Sequence, residues 1–389
     1  MPLLNNTFST FRLSWCIDSV TTSQLKNRLS MTSLLDPIQF KRGPEIKNRF
    51  FLAPLTNQQS NSDGTLGEDE FKWLIMRAKG GFGMTMTCAS HVQEIGQGFP
   101  GQLGIWSDNH LPGLTRLADA IKAENSLAIV QLHHAGLRGT RDVLGEAPVS
   151  ASDHTESGAR GLTTDEVERV VSDFVKSAKR AELAGFHGVE LHGAHSYLLC
   201  NFLSAEINKR DDKYGGSVEN RSRILFEIID GIREICGDEF ILGVRLSAEK
   251  FGMKTSDAVN IAEKLLTHES VDFLDMSLWD CFKQAEDKEF SGKALIDLFT
   301  GIERNGVKLG VAGKIRTPKE AEAIIEKGAD WVMLGRAAML EHDFPNKYAK
   351  DQNFSPVEMP VPSKYLSDQG LSDTFQAYVR GRWPEFFSD

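Results

Sequence analysis

Residues 188–199 read Gly-Val-Glu-Leu-His-Gly-Ala-His-Ser-Tyr-Leu-Leu, and this stretch decides the fold. It begins as a short apolar run of strand type and stops abruptly at His192. The rings of His192, His195 and Tyr197 then fall close together, and the glycine and alanine between them leave room for a bulky group against the backbone. A strand that ends by presenting two imidazoles and a phenol in one place is typical of an active site.

The bulk composition is that of a folded protein with a sizeable core. Of 389 residues, 41% are hydrophobic and 25% are charged, and the net charge is -10. Nucleic acids and anionic membranes are bound by basic faces, so this acidic balance argues against both as main partners. No apolar run approaches the ~20 residues of a membrane span. The five cysteines form no C-x-x-C pair, which argues against a thiolate metal site and favours a reducing, cytoplasmic location.

Residues 1–35 form a segment of their own in the sequence. They are rich in Ser, Thr and Asn and contain few basic residues and a single acid. Such a bias is found in mitochondrial transit peptides, and equally in a disordered extension or in a chain whose functional start is Met31. We therefore expect a disordered or targeting extension, and a mitochondrial location only if it is a transit peptide.

From residue 36 to about 350, short apolar runs alternate with amphipathic helical patterns. Thr163 and Glu166 form a capping box before one helix, and Thr317 and Glu320 form another. Eight such units predict an α/β fold, a single closed (β/α)8 TIM barrel, and no G-x-G-x-x-G follows the first run to favour an open dinucleotide-binding sheet. The runs are Phe50–Ala53, Met84–Thr87, Leu127–Leu132, Gly188–Leu191, Ile241–Arg245, Phe273–Met276, Lys308–Val311 and Trp331–Leu334.

Residues 351–389 follow the barrel as a C-terminal tail. We expect a short helix in it that packs on the barrel or on a neighbouring subunit of a homo-oligomer. Its Arg380-Gly-Arg382-Trp383 run either reaches the site of a neighbouring subunit or lies in a plain surface tail. The sequence does not set the oligomeric state.

In a barrel, the residues at the carboxyl ends of the strands carry the chemistry. Strands seven and eight end in a glycine followed by a cation, Gly313–Lys314 and Gly335–Arg336, which is the pattern of a phosphate site. Strand three ends near Gln131, whose amide donates and accepts and so suits the amide edge of a heterocycle. Strand five ends at Arg245, whose permanent charge can hold an anion that forms during turnover.

The chain resembles the Old Yellow Enzyme family of FMN-dependent barrel oxidoreductases over roughly residues 36–350. The most specific part of this resemblance is the run from His192 to Leu199, which continues through residues 201–204 (Asn-Phe-Leu-Ser) and 208–221 (Asn-Lys-Arg-x-Asp-x-Tyr-Gly-Gly-Ser-x-Glu-Asn-Arg). Supporting matches are Asn48-Arg49 with residues 53–56, residues 131–136 (Gln-Leu-x-His-Ala-Gly), and residues 334–336 (Leu-Gly-Arg).

The resemblance implies that FMN is the cofactor. The flavin ring would rest on the backbone of residues 53–56, with Thr56 near its O4, Gln131 at its pyrimidine edge and Arg245 near N1 and O2. Lys314 stands where relatives often have a second glycine, and Thr56 stands where one branch has a redox-tuning cysteine. The residues implied at the cofactor are Ala53, Pro54, Leu55, Thr56, Ala89, Gln131, His192, Arg245, Gly313, Lys314, Gly335 and Arg336.

The resemblance also implies an oxidoreductase that takes electrons from NADH or NADPH and reduces activated C=C bonds in unsaturated carbonyls, with nitro compounds or quinones as further acceptors. His192 and His195 would hydrogen-bond the substrate oxygen, and Tyr197 would donate a proton. Physical chemistry agrees, because hydride addition builds enolate charge on that oxygen and a phenol of pKa ~10 is protonated at neutral pH. This chemistry requires no metal.

Two other functions stay open. A flavin-binding redox sensor would have the same FMN contacts, although it has no use for a proton donor such as Tyr197. A metal-dependent barrel hydrolase could use His192 and His195, which stand three residues apart, but we expect no Asp or Glu beside them at a strand end. The candidate ligands for that hydrolase are His91, His133, His134, His192 and His195.

Overall fold

Eight parallel strands close into a barrel in the computed structural model of the chain, which describes residues 32–389. Each strand pairs with its neighbours along the chain, and the first strand pairs with both the second and the eighth. This order confirms the predicted (β/α)8 barrel. The strands are β1 (Phe50–Leu52), β2 (Met84–His91), β3 (Leu127–His133), β4 (Gly188–Gly193), β5 (Ile241–Ser247), β6 (Phe273–Ser277), β7 (Lys308–Ala312) and β8 (Trp331–Leu334).

A helix follows every strand. These helices are α1 (Glu68–Lys79), α2 (Leu111–Ala123), α3 (Thr164–Leu183), α4 (Val218–Ile235), α5 (Thr255–Leu266), α6 (Asp297–Thr300), α7 (Pro318–Glu326) and α8 (Phe344–Lys350). The predicted capping boxes are confirmed, since the hydroxyls of Thr163 and Thr317 accept hydrogen bonds from the third residues of α3 and α7. Shorter helices in the connections are Arg141–Leu144, Leu198–Leu203 and Arg336–Leu340. Among the described residues, no helix combines the length and apolar character needed to cross a membrane.

The folded unit begins at Ser33, three residues before the boundary that the sequence predicted. Leu34 is buried in the core with 1% of its surface exposed. Its carbonyl accepts a hydrogen bond of 2.9 Å from the backbone of Arg49, just before β1. Of the predicted extension, residues 1–35, the part up to residue 31 lies outside the described residues.

The two ends of the barrel interior differ in polarity. Toward the amino ends of the strands, the rings of Phe40, Phe51, Phe273 and Trp331 pack against one another, with centroids 5.0 to 6.2 Å apart. Side chains alternate along a strand, so every second residue continues the interior toward the carboxyl ends. There the inward side chains are polar: Gln131, Glu190, His192, Arg245 and Asp275. The aromatic cluster therefore fills the amino end of the barrel interior, and the polar side chains pack on it toward the carboxyl end.

Gly243 of β5 makes room for this plug. A Cβ atom at this position would lie 2.0 Å from the Cζ atom of Phe273, so Gly243→Ala forces the ring or the strand to move. We expect the substitution to lower the free energy of unfolding by roughly 1–3 kcal/mol, measured by urea denaturation. Gly381→Ala is the control, because a Cβ there meets no atom within 4 Å. An equal effect of both substitutions would argue against the close contact.

The C-terminal segment packs on the barrel of its own chain. It contains two helices, α9 (Ser363–Asp368) and α10 (Asp373–Arg382), where the sequence predicted one short helix. The ring of Phe375 lies 4.8 Å from that of Trp73 on α1. The hydroxyl of Ser372, which caps α10, donates to Oε1 of Gln59 at 2.6 Å in the connection that follows β1. Helix α10 is thereby held against a connection on the carboxyl side of the barrel.

Candidate active site

β4 carries the predicted histidines to the carboxyl end of the barrel. His192 precedes the last residue of the strand, and the chain then turns through His195 and Ser196, which have φ values of 60° and 61°. Tyr197 follows as the residue before helix Leu198–Leu203. The centroid of the His192 ring lies 5.1 Å from that of His195 and 4.9 Å from that of Tyr197. The structure thus brings these three predicted site residues into one cluster.

The cluster consists of neutral donors. Burial holds the pKa of His192 and of His195 well below the usual value, with smaller effects from neighbouring histidines and arginines, so both rings are uncharged. Burial also raises the pKa of Tyr197, so the phenol keeps its proton. The backbone N–H of Ala194 donates to Nδ1 of His192 at 3.3 Å, which puts the ring proton on Nε2. That imidazole makes no other hydrogen bond within residues 32–389.

His195 is held in place from three directions. Its backbone N–H donates to Oγ of Ser247 at 3.0 Å, and its Nε2 lies 2.7 Å from Oγ of Ser277. Its carbonyl accepts a hydrogen bond of 2.9 Å from Nη1 of Arg138. The ends of β5 and β6 and the connection after β3 therefore fix this residue at the mouth of the barrel.

A third imidazole, that of His133 at the end of β3, joins the cluster 4.3 Å from the ring of Tyr197. Gln102 accepts from the backbone of Gly98 and donates to the carbonyl of Ala89 and to Nδ1 of His133. His133 therefore carries its proton on Nε2, which is buried without a hydrogen-bond partner among the described residues. The sequence placed His133 only among candidate metal ligands, because its tautomer depends on Gln102, a residue of another connection.

Two buried carboxyl groups lie on the interior faces of β4 and β6, within the strands and not at their ends. Glu190 pairs in register with Gln131, and Asp275 pairs with Arg245. Nε2 of Gln131 donates to Oε1 of Glu190 at 2.7 Å, and Nε of Arg245 lies 3.0 Å from Oδ2 of Asp275. Each acid looks like a lone charge in an apolar run. The available signal was their inward position, since Glu190 stands two residues before His192.

The interior holds two carboxyl groups against one guanidinium, so a proton completes the balance. Burial and the charge of Asp275 raise the pKa of Glu190 to about 8, and burial raises the pKa of Asp275. Glu190 is therefore protonated at neutral pH. Within residues 32–389, no group of three or more His, Cys, Asp or Glu side chains is arranged to hold a metal ion.

Glu190→Gln is expected to change how stability depends on pH. The pKa of a Glu in the unfolded chain is ~4.3, whereas that of Glu190 in the folded protein is about 8. Between these two pH values the folded protein binds more protons than the unfolded chain, so the free energy of unfolding of the wild type falls as pH rises. Glutamine cannot ionise, so the free energy of unfolding of the variant should rise relative to that of the wild type by up to ~1.4 kcal/mol per pH unit. Urea denaturation near the two ends of the window measures this gain. The exposed Glu303→Gln is the control, and parallel profiles for wild type and Glu190→Gln would contradict the assignment.

The ends of β1 and β8 meet at the mouth. The backbone N–H of Ala53 donates to the carbonyl of Leu334 at 3.0 Å. A Cβ on Gly335 would lie 3.4 Å from Cδ2 of Leu55 and 3.6 Å from Cβ of Ala53. The predicted flavin contacts come from three adjacent strands and the residues after them: Ala53, Pro54, Leu55 and Thr56 follow β1, Ala89 lies on β2 and Gln131 lies on β3.

Cations gather at the ends of β7 and β8. Burial, together with the charge of Arg316, lowers the pKa of Arg336, and neither guanidinium forms a salt bridge within residues 32–389. Lys314 instead pairs with Oδ2 of Asp280 at 3.0 Å. A Cβ on Gly313 would lie 2.9 Å from the backbone nitrogen of Asp280, so the glycine allows the connection after β6 to pack closely against the end of β7. The structure thus adds Arg316, which the sequence reasoning missed, to the cations of the predicted phosphate site. Lys314, which was predicted there, forms an ion pair with the carboxylate of Asp280.

Strained backbone conformations are concentrated at the carboxyl end of the barrel. Among residues 32–389, eight non-glycine residues have positive φ, and all but Asn125 lie in connections that leave the carboxyl ends of strands. Such conformations cost ~1–3 kcal/mol each and cluster at functional sites. The rim residues are Gln58, His195, Ser196, Lys250, Phe251, Trp279 and Lys314.

The donors at this mouth fit FMN at both of its ends. Gln131 uses its Nε2 on Glu190, which leaves its carbonyl oxygen free to accept from an N–H of a heterocycle. Arg245 is buried, and its terminal nitrogens make no hydrogen bond within residues 32–389. Arg316 and Arg336, which form no salt bridge within residues 32–389, supply positive charge for a phosphate. A planar heterocycle that carries a phosphate matches this set.

Comparisons with known proteins agree with this fit. The model of the NADH:flavin oxidoreductase / NADH oxidase family matches residues 33–354. The chain is 36% identical over 327 residues to the probable NADH-dependent flavin oxidoreductase YqiG of Bacillus subtilis (strain 168), covering 81% of this chain and 87% of that protein. It is 32% identical over 370 residues to the NADH:acrylate oxidoreductase of Vibrio harveyi, covering 88% of this chain and 37% of that protein. The solved structure of the old yellow enzyme homologue from Zymomonas mobilis matches with a TM-score of 0.74 and 27% identity, covering 88% of this chain and 99% of that one.

Proposed function

Because the chain belongs to the NADH:flavin oxidoreductase / NADH oxidase family, we propose that it reduces the C=C bond of small electrophilic alkenes. It is an NADH- or NADPH-dependent flavin oxidoreductase of the old yellow enzyme type, with FMN as its cofactor. The acceptors we propose are α,β-unsaturated carbonyl compounds, with nitro compounds and quinones as further members of the class. One relative is named for acrylate, an alkene of this kind, although the chain spans only 37% of that protein.

The neutral donors of the cluster support this proposal. Reduction of an unsaturated carbonyl places negative charge on its oxygen, so donors aimed at that oxygen lower the barrier. His192 offers Nε2–H to such a ligand, and His195 presents its ring beside it. Both rings are uncharged because of their burial, so His192 donates its Nε2–H without first losing or gaining a proton. His195, whose Nε2 is engaged with Oγ of Ser277, would donate through Nδ1.

Tyr197 is the proton donor in this proposal. Its pKa is raised by burial, so the phenol is protonated throughout the neutral range. The centroid of its ring lies 4.9 Å from that of His192 and 6.5 Å from that of His195. Tyr197 therefore lies next to the two side chains that would hold the acceptor oxygen. A proton delivered from Tyr197 to the α-carbon completes the saturation of the alkene.

When bound, FMN would supply the redox chemistry, namely hydride transfer from the nicotinamide to the β-carbon of the acceptor. Gln131 and Arg245 would hold the pyrimidine edge, and the latter would balance negative charge there because its guanidinium cannot lose its proton. The backbone of residues 53–56 and Ala89 would contact the ring. Arg336 and Arg316, with Gly313 and Gly335, would hold the phosphate.

The observation that carries the proposal is the convergence of two neutral imidazoles and a protonated phenol at the mouth of the barrel. A redox sensor that only binds flavin has no use for Tyr197 in that position. A metal-dependent hydrolase lacks a suitable ligand group within the described residues.

Anaerobic mixing tests the proposal. NADH or NADPH should bleach the yellow holoprotein, and an enone, a nitroalkene or a quinone should then restore the colour. Steady-state turnover with each acceptor and both nicotinamides identifies the preferred pair. Bleaching without reoxidation by any of these acceptors would support the sensor and contradict the proposed activity.

A further inference from the structure

His133 is a buried imidazole of the site whose remaining donor has no acceptor. Its side chain is fully buried at the end of β3, and its Nε2 makes no hydrogen bond within residues 32–389. Burial holds the pKa of His133 well below the usual value, so the ring is neutral and carries a single N–H. A buried N–H without a partner costs stability, so folding alone does not account for it.

Gln102 commits the ring of His133 to this tautomer. Its Oε1 accepts from the backbone N–H of Gly98 at 2.7 Å, which turns its Nε2 toward His133 and Ala89. That nitrogen donates to Nδ1 of His133 at 3.0 Å and to the carbonyl of Ala89 at 2.7 Å. Because Nδ1 accepts, the proton of the ring lies on Nε2. Neither the amide nor the ring can turn over without losing hydrogen bonds.

The free edge of the His133 ring faces Tyr197. Nδ1 points to Gln102, and Cε1 lies on the side of Gly98, 3.6 Å from where a Cβ on that glycine would stand. Nε2 and Cδ2 are left for the rest of the site, where the ring meets that of Tyr197 with a centroid separation of 4.3 Å and an interplanar angle of 76°. Aromatic pairs usually lie about 4.5–7 Å apart, so this contact is a close one, as expected for an N–H against the face of a ring.

We propose that His133 is a positioning residue for proton transfer, whose Nε2–H stabilises the phenolate that Tyr197 becomes when it protonates the acceptor. This inference rests on the proposed function, in which Tyr197 is the proton donor. The proton leaves the phenol oxygen for the α-carbon, and the O–H electron pair stays behind as negative charge shared between the oxygen and the ring. Water then restores the proton. A hydrogen bond to a charged acceptor is roughly twice as strong as one to a neutral acceptor, so this contact favours the transfer.

Stabilisation of the phenolate matters because Tyr197 is buried. Burial raises the pKa of Tyr197, since a phenolate is poorly solvated there, and this makes the phenol a weaker acid. Arg138, whose Cζ lies 4.8 Å from the centroid of the ring, opposes the effect of burial with its positive charge. His133 adds a neutral donor to that charge. The other titratable or charged groups around this phenol are His192, His195, Tyr378 and Arg382.

Replacement of His133 tests the role. His133→Phe keeps a flat ring and removes the donor, so the pKa of Tyr197 should rise by about one unit and alkene reduction should slow by roughly tenfold. Reduction of the flavin by NADH or NADPH should keep the wild-type rate. His133→Gln places an amide N–H near the position of Nε2 and should reverse most of both effects. If His133→Phe does not fold, His133→Asn takes its place, because its amide can pair with Gln102 but is too short to reach Tyr197.

Fluorine NMR measures the pKa of Tyr197 without turnover. The holoprotein is labelled with 3-fluorotyrosine, whose phenol is more acidic than that of tyrosine, and the resonance of Tyr197 among the five tyrosines is the one missing from Tyr197→Phe. His187→Gln is the control, since its Nδ1 also accepts a hydrogen bond, from the backbone of Ala128 at 3.0 Å, but it precedes β4 at the opposite end of the barrel. It should leave the pKa of Tyr197 and both half-reactions unchanged.

A pKa of Tyr197 that is the same in wild type and in His133→Phe overturns the proposal. Slower alkene reduction in that case would mean that His133 binds the acceptor or shapes the pocket. His133→Gln behaving like His133→Phe also overturns the proposal, because the donor would then play no part. Failure of the wild type to reduce any enone, nitroalkene or quinone overturns the proposed function, whereas normal turnover with an unchanged pKa overturns the role of His133 alone.

Discussion

Tyr197→Phe is expected to slow alkene reduction by roughly 10²–10⁴-fold, the range that general acid catalysis contributes. The phenylalanine keeps the ring and removes the hydroxyl that delivers the proton. Bleaching of the holoprotein by NADH or NADPH requires no proton from this residue, so that half-reaction should stay close to the wild-type rate. Stopped-flow absorbance of the two half-reactions separates these effects.

Tyr365→Phe is the control for this experiment, because its hydroxyl donates to the carbonyl of Leu340 and takes no part in the site. It should leave both half-reactions unchanged. Equal loss of both half-reactions in Tyr197→Phe would show that the ring shapes the pocket and would remove Tyr197 from the role of proton donor. A rate of alkene reduction that survives the substitution would do the same.

His192→Ala is expected to cost about 10²–10³-fold in the rate of alkene reduction, the usual loss when one oxyanion donor is removed. The reason is its tautomer: Nδ1 accepts from the backbone of Ala194, so Nε2–H is committed to donation. The variant should also bind phenols more weakly, because a phenolate oxygen occupies the same place as an enolate oxygen. A titration of the flavin absorbance with a phenol measures that affinity.

His268→Gln is the matched control, since its ring packs against Phe226 with a centroid separation of 5.7 Å and lies outside the cluster. It should leave both phenol affinity and turnover at wild-type values. If His192→Ala binds phenols as the wild type does, His192 does not hold the acceptor oxygen, and the donor role passes to His195 or His133.

The sequence predicted the framework well, because the barrel is built from local patterns. Eight apolar runs and their capping boxes are readable one at a time, and each predicted run overlaps an observed strand. The cluster on β4 was also within reach, since His192, His195 and Tyr197 lie in one turn. Their contacts follow from the backbone of that turn, where His195 and Ser196 adopt positive φ.

Features that depend on pairing between distant segments escaped prediction. The tautomer of His133 depends on Gln102, and the charge state of Glu190 depends on Asp275, a residue two strands away in the barrel. The second C-terminal helix, α10, was not predicted, because its place on the barrel depends on the contact of Ser372 with the distant Gln59. Single-residue patterns carry no information on such long-range contacts.

Isotope labelling tests the central claim most directly, namely that the site adds a hydride to one alkene carbon and a proton from Tyr197 to the other. The holoprotein first reduces an enone with NADH or NADPH that carries deuterium at C4 of the nicotinamide, in ordinary water. In the second experiment it uses unlabelled NADH or NADPH in D₂O. The account predicts deuterium at the β-carbon in the first experiment and at the α-carbon in the second, with the second incorporation slowed in Tyr197→Phe. Label at the reverse positions, or no saturated product at all, would contradict it.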